Sequence, residues 1–148
     1  MSLKFLISQF RKLDINQYHK LFRYSKFLEQ YQGQEWKAYR TYPKFNYHRS
    51  LIHLDENFEI RMLEWAPKAK SRIHNHASHG CLLKVLEGEL EEHIYNSQLE
   101  WIECNTLPRQ QVSYLDDTIG YHSIRNNLDI PAVSLHIYSP PGHISEYY

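Results

Sequence analysis

The sequence lacks an excess of charge of either sign, a long apolar run and more than two cysteines. Lys plus Arg and Asp plus Glu each number 17, with no dense basic run, so we expect no nucleic-acid partner, since phosphate contacts supply most of such binding. No stretch approaches the roughly 20 apolar residues of a membrane helix, so we expect no membrane partner. Two cysteines allow at most one disulfide, and the N-terminal apolar run is too short for a signal peptide, which favours a reducing compartment.

What the sequence does contain indicates one folded domain. Hydrophobic residues make up 42% and aromatic residues 14% of the 148 positions, which is enough for a packed core and unlike a disordered chain. We therefore expect a single domain over residues 1–148, cytoplasmic and monomeric. Within it we assign residues 1–35 to a helical N-terminal segment and residues 36–148 to a β-barrel.

Two helical stripes of apolar residues occupy the N-terminal segment. The first stripe has the three- and four-residue spacing of a helix and consists of Leu3, Leu6, Phe10 and Leu13. A second helix is predicted with Asp14 or Asn16 as its cap and Gly33 as its end. Its apolar face would comprise Tyr18, Leu21, Phe22 and Leu28.

After Pro43 the pattern changes to the two-residue alternation of β-strands. Short segments of this kind follow one another at fairly regular intervals: FEIRM, CLLKVLE and ELEEHIY on either side of Gly88, LEWIE, VSYL, GYHSIRN and AVSLHIY. Many short strands separated by turn residues predict a closed β-barrel or a sandwich. The expected fold is mainly β, with the helical segment packed on a barrel.

His74 and His76 form a pair with one residue between them. On a strand, both side chains would point to the same face, where two imidazoles can bind one metal ion. Such a pair alone is weak evidence, because surface histidines have this spacing by chance. Further along the chain come Cys81, Gly88 and then His122, and three residues separate His122 from Asn126.

The order of these residues resembles the two metal-binding motifs of the cupin superfamily. Cupins usually carry a glutamate ligand at the position of Cys81. With a cysteine at that position, the sequence resembles the cysteine dioxygenase family of mononuclear iron enzymes. Further segments resemble that family in the right order: YHRSLI from Tyr47, IHNHASHGCLLKVLEG, GYHSIRNN and AVSLHIYSPP at residues 132–141. The resemblance covers roughly residues 36–139 and implies a cupin-type jelly-roll barrel.

The resemblance implies a metal centre and a substrate. Fe(II) would be held by His74, His76 and His122, and L-cysteine and O2 would be the substrates that yield cysteine sulfinic acid. Arg49 would bind the substrate carboxylate with two parallel hydrogen bonds, with Tyr47 beside the same site. Without the motif, Arg49 would be read as a surface charge.

The resemblance also implies a catalytic row on the last strand. Cys81 and Tyr138 look like the pair that forms a thioether cross-link in some family members, although a buried free cysteine is an equal alternative. His136 would hold the hydroxyl of Tyr138, and Ser134 would orient His136. The resemblance further implies a cis peptide between Ser139 and the proline after it.

Alternatives remain open. The substrate could be another small thiol such as 3-mercaptopropionate, against which Arg49 argues, or the protein could be a metal-binding cupin that binds a small molecule without catalysis. His79 is a surface residue or a rival metal ligand. Cys104 belongs to no motif, and we expect it to be buried or inert. The chain stops ten residues after Tyr138, from which we expect a more open pocket than in longer family members.

Overall fold

The computed structural model describes residues 1–12 and 20–148, and the predicted cap at Asp14 or Asn16 lies outside the described residues. The first helix, α1, spans Leu3–Phe10 and begins where the hydroxyl of Ser2 accepts a hydrogen bond from the amide of Phe5. As the apolar spacing predicts, it buries Leu3, Leu6 and Phe10. The predicted stripe members Leu13 and Tyr18 also lie outside the described part.

Where one second helix was predicted, the described part of the chain has three short helical elements. They are a 3-10 helix at Leu21–Tyr24, the helix α2 at Ser25–Gln30 and another 3-10 helix at Glu35–Tyr39. They bury Leu21 and Leu28, whereas Phe22 is half exposed. The end predicted at Gly33 is wrong, because α2 already stops at Gln30. There Nζ of the fully buried Lys84 binds the carbonyls of residues 28, 29 and 31 and so satisfies the end of the helix.

Within the described residues, eight antiparallel strands form two facing sheets. They are β1 Tyr47–Leu54, β2 Glu59–Trp65, β3 Cys81–Glu87, β4 Leu90–Tyr95, β5 Trp101–Leu107, β6 Val112–Leu115, β7 Tyr121–Arg125 and β8 Ala132–Tyr138. One sheet has the order β1-β2-β8-β3-β6, and the other has the order β5-β4-β7. The turn between β3 and β4 needs Gly88, whose φ is +73° and where a Cβ would lie 2.9 Å from the carbonyl of Pro131.

The prediction of a mainly β fold with a helical N-terminal segment is confirmed. The strand segments predicted from two-residue alternation correspond to β2 through β8. The helical elements continue to Tyr39, and the first strand begins at Tyr47. No helix in the described part of the chain is long and apolar enough to cross a membrane.

Two apolar clusters lie on opposite faces of the five-stranded sheet. On β8, Val133, Leu135 and Ile137 pack with the N-terminal helices. The alternate residues Ser134, His136 and Tyr138 must then point between the two sheets, because successive side chains of a strand point to opposite faces. Between the sheets, a second cluster includes Leu63, Trp65, Leu83, Val85 and Ile124. The interior of the barrel therefore combines an apolar floor with the polar row of β8.

Candidate metal centre and substrate pocket

The structure brings together the three histidines predicted as metal ligands. The prediction that His74 and His76 lie on a strand is wrong. Of the two, only His74 makes an isolated β-bridge, with backbone hydrogen bonds of 3.0 and 3.3 Å to His122 on β7. His76 is held separately, by its amide hydrogen bond to the side chain of Asp117. The three imidazoles still converge, with ligand nitrogens within 4.8 Å of one another.

Each imidazole is oriented by an acceptor at Nδ1. These acceptors are the carbonyl of Arg72 at 2.8 Å from His74, the carboxylate of Asp117 at 3.2 Å from His76 and the carboxylate of Glu92 at 2.8 Å from His122. Carbonyl and carboxylate oxygens only accept, so each Nδ1 carries the hydrogen and each Nε2 keeps a lone pair. This is the tautomer that a metal-ligating histidine requires.

The three Nε2 atoms fit a metal ion. Those of His74 and His122 lie 3.0 Å apart, and that of His76 is buried with no hydrogen-bond partner in the described chain. Lone pairs that face one another repel, and a buried nitrogen without a partner costs free energy. A cation among the three nitrogens would remove both costs, so the residues present suit a metal site.

Burial keeps His74 and His122 neutral. It lowers the pKa of His74 to about 4, and it lowers the pKa of His122 well below its usual value. Burial also raises the pKa of Glu92 to about 7. Neutral imidazoles are the form that binds metals, so His74 and His122 are in that form near neutral pH.

A chain of hydrogen bonds runs from Trp65 along the polar row of β8. The indole Nε1 of Trp65 lies 2.9 Å from the hydroxyl of Ser134, which lies 2.7 Å from Nε2 of His136, and Nδ1 of His136 lies 3.2 Å from the hydroxyl of Tyr138. An indole can only donate, so Ser134 accepts from it, and the hydroxyl hydrogen of Ser134 is available to donate to Nε2 of His136. In the tautomer with hydrogen on Nδ1, Ser134 donates to His136. His136 then donates from Nδ1 to the oxygen of Tyr138, and the phenolic hydrogen is left to point elsewhere.

Cys81 lies at the same end of this row. Strand pairing sets Cys81 directly opposite Tyr138, and its Sγ lies 3.8 Å from Nδ1 of His136. Burial raises the pKa of both the Cys81 thiol and the Tyr138 phenol, so both are protonated near neutral pH. Cys81 is a free cysteine, and the peptide between Ser139 and Pro140 is cis, as the resemblance implies.

A pocket opens beside the cluster, and Arg49 and Tyr47 of β1 lie in it. The ring of Tyr47 packs on Trp65 with centroids 4.7 Å apart, and the guanidinium of Arg49 lies 5.8 Å from the ring centroid of Tyr138. The pocket is lined by Tyr47, Arg49, Leu63, Trp65, Ser71, His74, His122, Ile124, His136, Tyr138, Ser145 and Tyr147. One cavity therefore presents a cation, a phenol and two of the three clustered histidines.

The last residues of the chain lie across this pocket, and no motif in the sequence indicates this. Tyr148 donates its amide to the carbonyl of Ile73 at 2.9 Å, and Tyr147 bridges to His74. The ring of Tyr147 lies 5.8 Å from that of His74 and lines the pocket together with Ser145. The mouth is therefore narrowed by Tyr147, a residue that sequence reasoning missed.

The structure also tests the predictions made for His79 and Cys104. Nδ1 of His79 lies 3.2 Å from the hydroxyl of Ser139, and His79 is not part of the three-histidine cluster. Of the prediction that Cys104 is buried or inert, burial is wrong, because Cys104 is exposed on β5. The reason is that β5 is an edge strand with most of its side chains toward solvent.

Comparison with known families decides the relationship. The sequence profile of the family described as cysteine dioxygenase type I matches residues 4–148. The chain belongs to the cysteine dioxygenase type I family. Cysteine dioxygenase type 1 of Rattus norvegicus is 35% identical over 125 residues, with 77% of this chain and 62% of the rat protein covered. The chain thus spans less than two thirds of the length of the curated relatives it matches.

Solved structures support the fold. A protein with a double-stranded β-helix domain from Klebsiella pneumoniae superimposes with a TM-score of 0.65 at 16% identity, covering 80% of this chain and 92% of that one. A cupin superfamily protein from Desulfitobacterium hafniense gives 0.59 at 12% identity, covering 74% and 92%. At such low identities these similarities concern the fold alone, and they confirm the predicted cupin-type barrel.

Proposed function

We propose that this protein is an iron-dependent thiol dioxygenase that oxidises L-cysteine with O2 to cysteine sulfinic acid. The observation that carries the proposal is the convergence of three Nδ1-anchored imidazoles on one point, beside Arg49 and Tyr138 in the same pocket. Membership of the cysteine dioxygenase type I family supports the reaction class. In the overall reaction, RSH and O2 give RSO2H, with both oxygen atoms on sulfur.

In this proposal His74, His76 and His122 hold Fe(II). Imidazole also suits zinc and copper, so the choice of iron rests on the family. When bound, a ferrous ion supplies open coordination positions at which a substrate thiolate is stabilised and O2 is activated. Three neutral ligands leave the full charge of the ion uncompensated, which favours an anionic guest such as a thiolate.

Arg49 and Tyr138 position the substrate. The planar guanidinium of Arg49 can bind a carboxylate with two parallel hydrogen bonds, and it is exposed to the solvent from which a substrate enters. The hydrogen-bond direction set by Trp65 leaves the phenolic hydrogen of Tyr138 free to donate within the pocket. An amino acid that carries a thiol and a carboxylate matches these groups, whereas a binding module that does not catalyse needs no such oriented phenol.

We also propose the thioether between Cys81 and Tyr138. Their cross-strand pairing and the shared neighbour His136 support a bond between Sγ and the ring carbon beside the hydroxyl. The bond replaces one S–H and one C–H, and O2 accepts the two hydrogens and two electrons. We expect an intact mass about 2 Da lower than the sequence predicts. This difference should remain after treatment with reductant, whereas the same difference caused by a disulfide with Cys104 would disappear. Cytoplasmic location and a monomeric state stay predictions.

The deciding experiment is anaerobic loading with Fe(II), followed by cysteine and O2 with identification of the product. We expect sulfinate in which both oxygens come from labelled O2, and we expect the activity to be lost in His122→Ala. His48→Ala is the matched control, because His48 is exposed on β1 and belongs to no cluster in the described chain. Oxygen uptake no faster than without cysteine would refute the function.

A comparison of thiols separates the remaining alternatives. L-cysteine, 3-mercaptopropionate and cysteamine, which lacks a carboxylate, are compared at equal concentrations. We expect the highest kcat/KM for L-cysteine. We expect the lowest for cysteamine, because it lacks the carboxylate that Arg49 would bind. Arg49→Gln should raise KM for L-cysteine about tenfold or more, since a charge-assisted bidentate pair is lost. A higher kcat/KM for 3-mercaptopropionate would reassign the substrate.

A further inference from the structure

A second group of metal-ligand side chains lies on the outer face of the three-stranded sheet. On β4, the residues Leu90, Glu92 and Ile94 are buried, so the alternate residues Glu91 and His93 point outward. Strand pairing sets Cys104 of β5 directly opposite His93. An imidazole, a carboxylate and a thiol therefore meet on one surface, away from the three-histidine centre.

The ligand atoms of this group lie close together. Nε2 of His93 is 3.0 Å from Oε2 of Glu91 and 3.5 Å from Sγ of Cys104, and Sγ is 3.9 Å from the same carboxylate oxygen. Around a tetrahedral Zn²⁺ with bonds of about 2.0–2.3 Å, neighbouring ligand atoms lie roughly 3.3–3.6 Å apart. The three separations bracket that range, so only small side-chain movements would be needed to bind the ion.

A cation that could compete for Glu91 is Arg125, which lies opposite Glu91 on β7. Its Nη2 lies 3.4 Å from the hydroxyl of Tyr95, and no salt bridge links it to Glu91 in the described chain. One carboxylate and one thiolate would balance a divalent charge. On binding, the thiol would release its proton and the hydrogen on Nε2 of His93 would move to Nδ1, so that Nε2 presents a lone pair.

We propose that Glu91, His93 and Cys104 form a second metal site, for a borderline-soft divalent ion of the Zn²⁺ class, on the β4–β5 hairpin. Thiolate and imidazole ligands select such ions over Mg²⁺ and Ca²⁺. The exposure of Cys104 leaves the fourth position open to water or a small ligand. The site is independent of the proposed dioxygenase activity, because none of its residues lies in the pocket.

The test uses the full chain, with iron already bound at the three-histidine centre under anaerobic conditions. Co²⁺ is titrated as the probe, because a thiolate ligand gives an absorption band in the near ultraviolet that imidazoles alone do not. We expect one additional equivalent to bind with that band. Cys104→Ser and His93→Gln should each weaken binding roughly 100-fold or abolish the band. Thr106→Ala is the matched control, because Thr106 is exposed on β5 opposite Glu91.

The outcomes separate this site from the pocket and from a folding defect. Cys81→Ser should keep the band, which excludes the buried thiol as its source. In the unmodified chain, Zn²⁺ should slow alkylation of Cys104 severalfold, a readout that needs no variant. The proposal is overturned if no second equivalent binds, if the band survives Cys104→Ser, or if Zn²⁺ leaves the alkylation rate unchanged.

Discussion

Replacing Glu92 should weaken metal binding at the three-histidine centre although no ligand is removed. Its carboxylate lies 2.8 Å from Nδ1 of His122, and the two side chains are only 3% and 2% exposed. In Glu92→Ala, the Nδ1–H of His122 would be buried without an acceptor, and both the ring orientation and the tautomer would lose their restraint.

The expected loss follows from this geometry. Removing a partner that orients a metal-ligating histidine costs about 10–100-fold in metal affinity, or about 1.4–2.7 kcal/mol. Burial places Glu92→Ala at the upper end, since a buried donor left without its acceptor costs about 1–3 kcal/mol. Glu92→Gln keeps an acceptor oxygen and should lie at the lower end, because only the charge is lost.

Asp117 provides the matched control. It accepts from Nδ1 of His76 at 3.2 Å, but its side chain is 41% exposed. Interactions of partly exposed charges contribute about 0–1 kcal/mol, so Asp117→Asn should weaken binding less than about fivefold. Its amide oxygen can still accept the hydrogen bond from the backbone amide of His76.

Ferrous affinity is measured anaerobically in competition with a coloured chelator, and thermal unfolding without metal is recorded in parallel. From tightest to weakest ferrous binding, we expect the order unmodified chain, Asp117→Asn, Glu92→Gln and then Glu92→Ala. If Glu92→Ala binds iron as tightly as the unmodified chain, the buried carboxylate does not orient His122. Equal losses at the exposed and the buried carboxylate would likewise contradict the role given to burial.

Three further predictions concern the pocket and the fold. Trp65→Phe removes one hydrogen-bond donor to Ser134, worth about 1 kcal/mol, so kcat should fall roughly fivefold while iron affinity is unchanged. Tyr147→Ala widens the pocket mouth, so steady-state kinetics should show a severalfold gain in kcat/KM for homocysteine relative to L-cysteine, and no change would exclude Tyr147 from selectivity. Lys84→Met removes charge-assisted bonds to the end of α2 and should lower the free energy of unfolding by about 2–3 kcal/mol, which denaturant titration measures.

Much of the barrel could be predicted from the sequence because its strands alternate. On β8, apolar and polar residues occupy successive positions, since one face packs on helices and the other faces the pocket. Such period-two alternation is local, and it requires no knowledge of the partner strand. For the same reason, the residues of the polar row could be proposed as neighbours before their distances were known.

Helix ends and the conformation around His74 and His76 could not be predicted in this way. The end of α2 depends on Lys84, which lies more than 50 residues from the carbonyls it binds. The stretch with His74 and His76 has strand-like spacing, yet its backbone is held by Asp117 and by the chain terminus. In both places, contacts distant in sequence replace the local hydrogen bonds that a periodic pattern implies.

Strand β4 explains why one short segment carries two kinds of chemistry. Glu92 points inward and orients His122, whereas Glu91 and His93 on either side of it point outward. Burial is what distinguishes these two carboxylates: it raises the pKa of Glu92, while a hydrogen bond from His93 lowers that of Glu91. A residue type alone therefore does not define a metal ligand or an orienting group. The direction of the side chain relative to the sheet decides which of the two roles it can take.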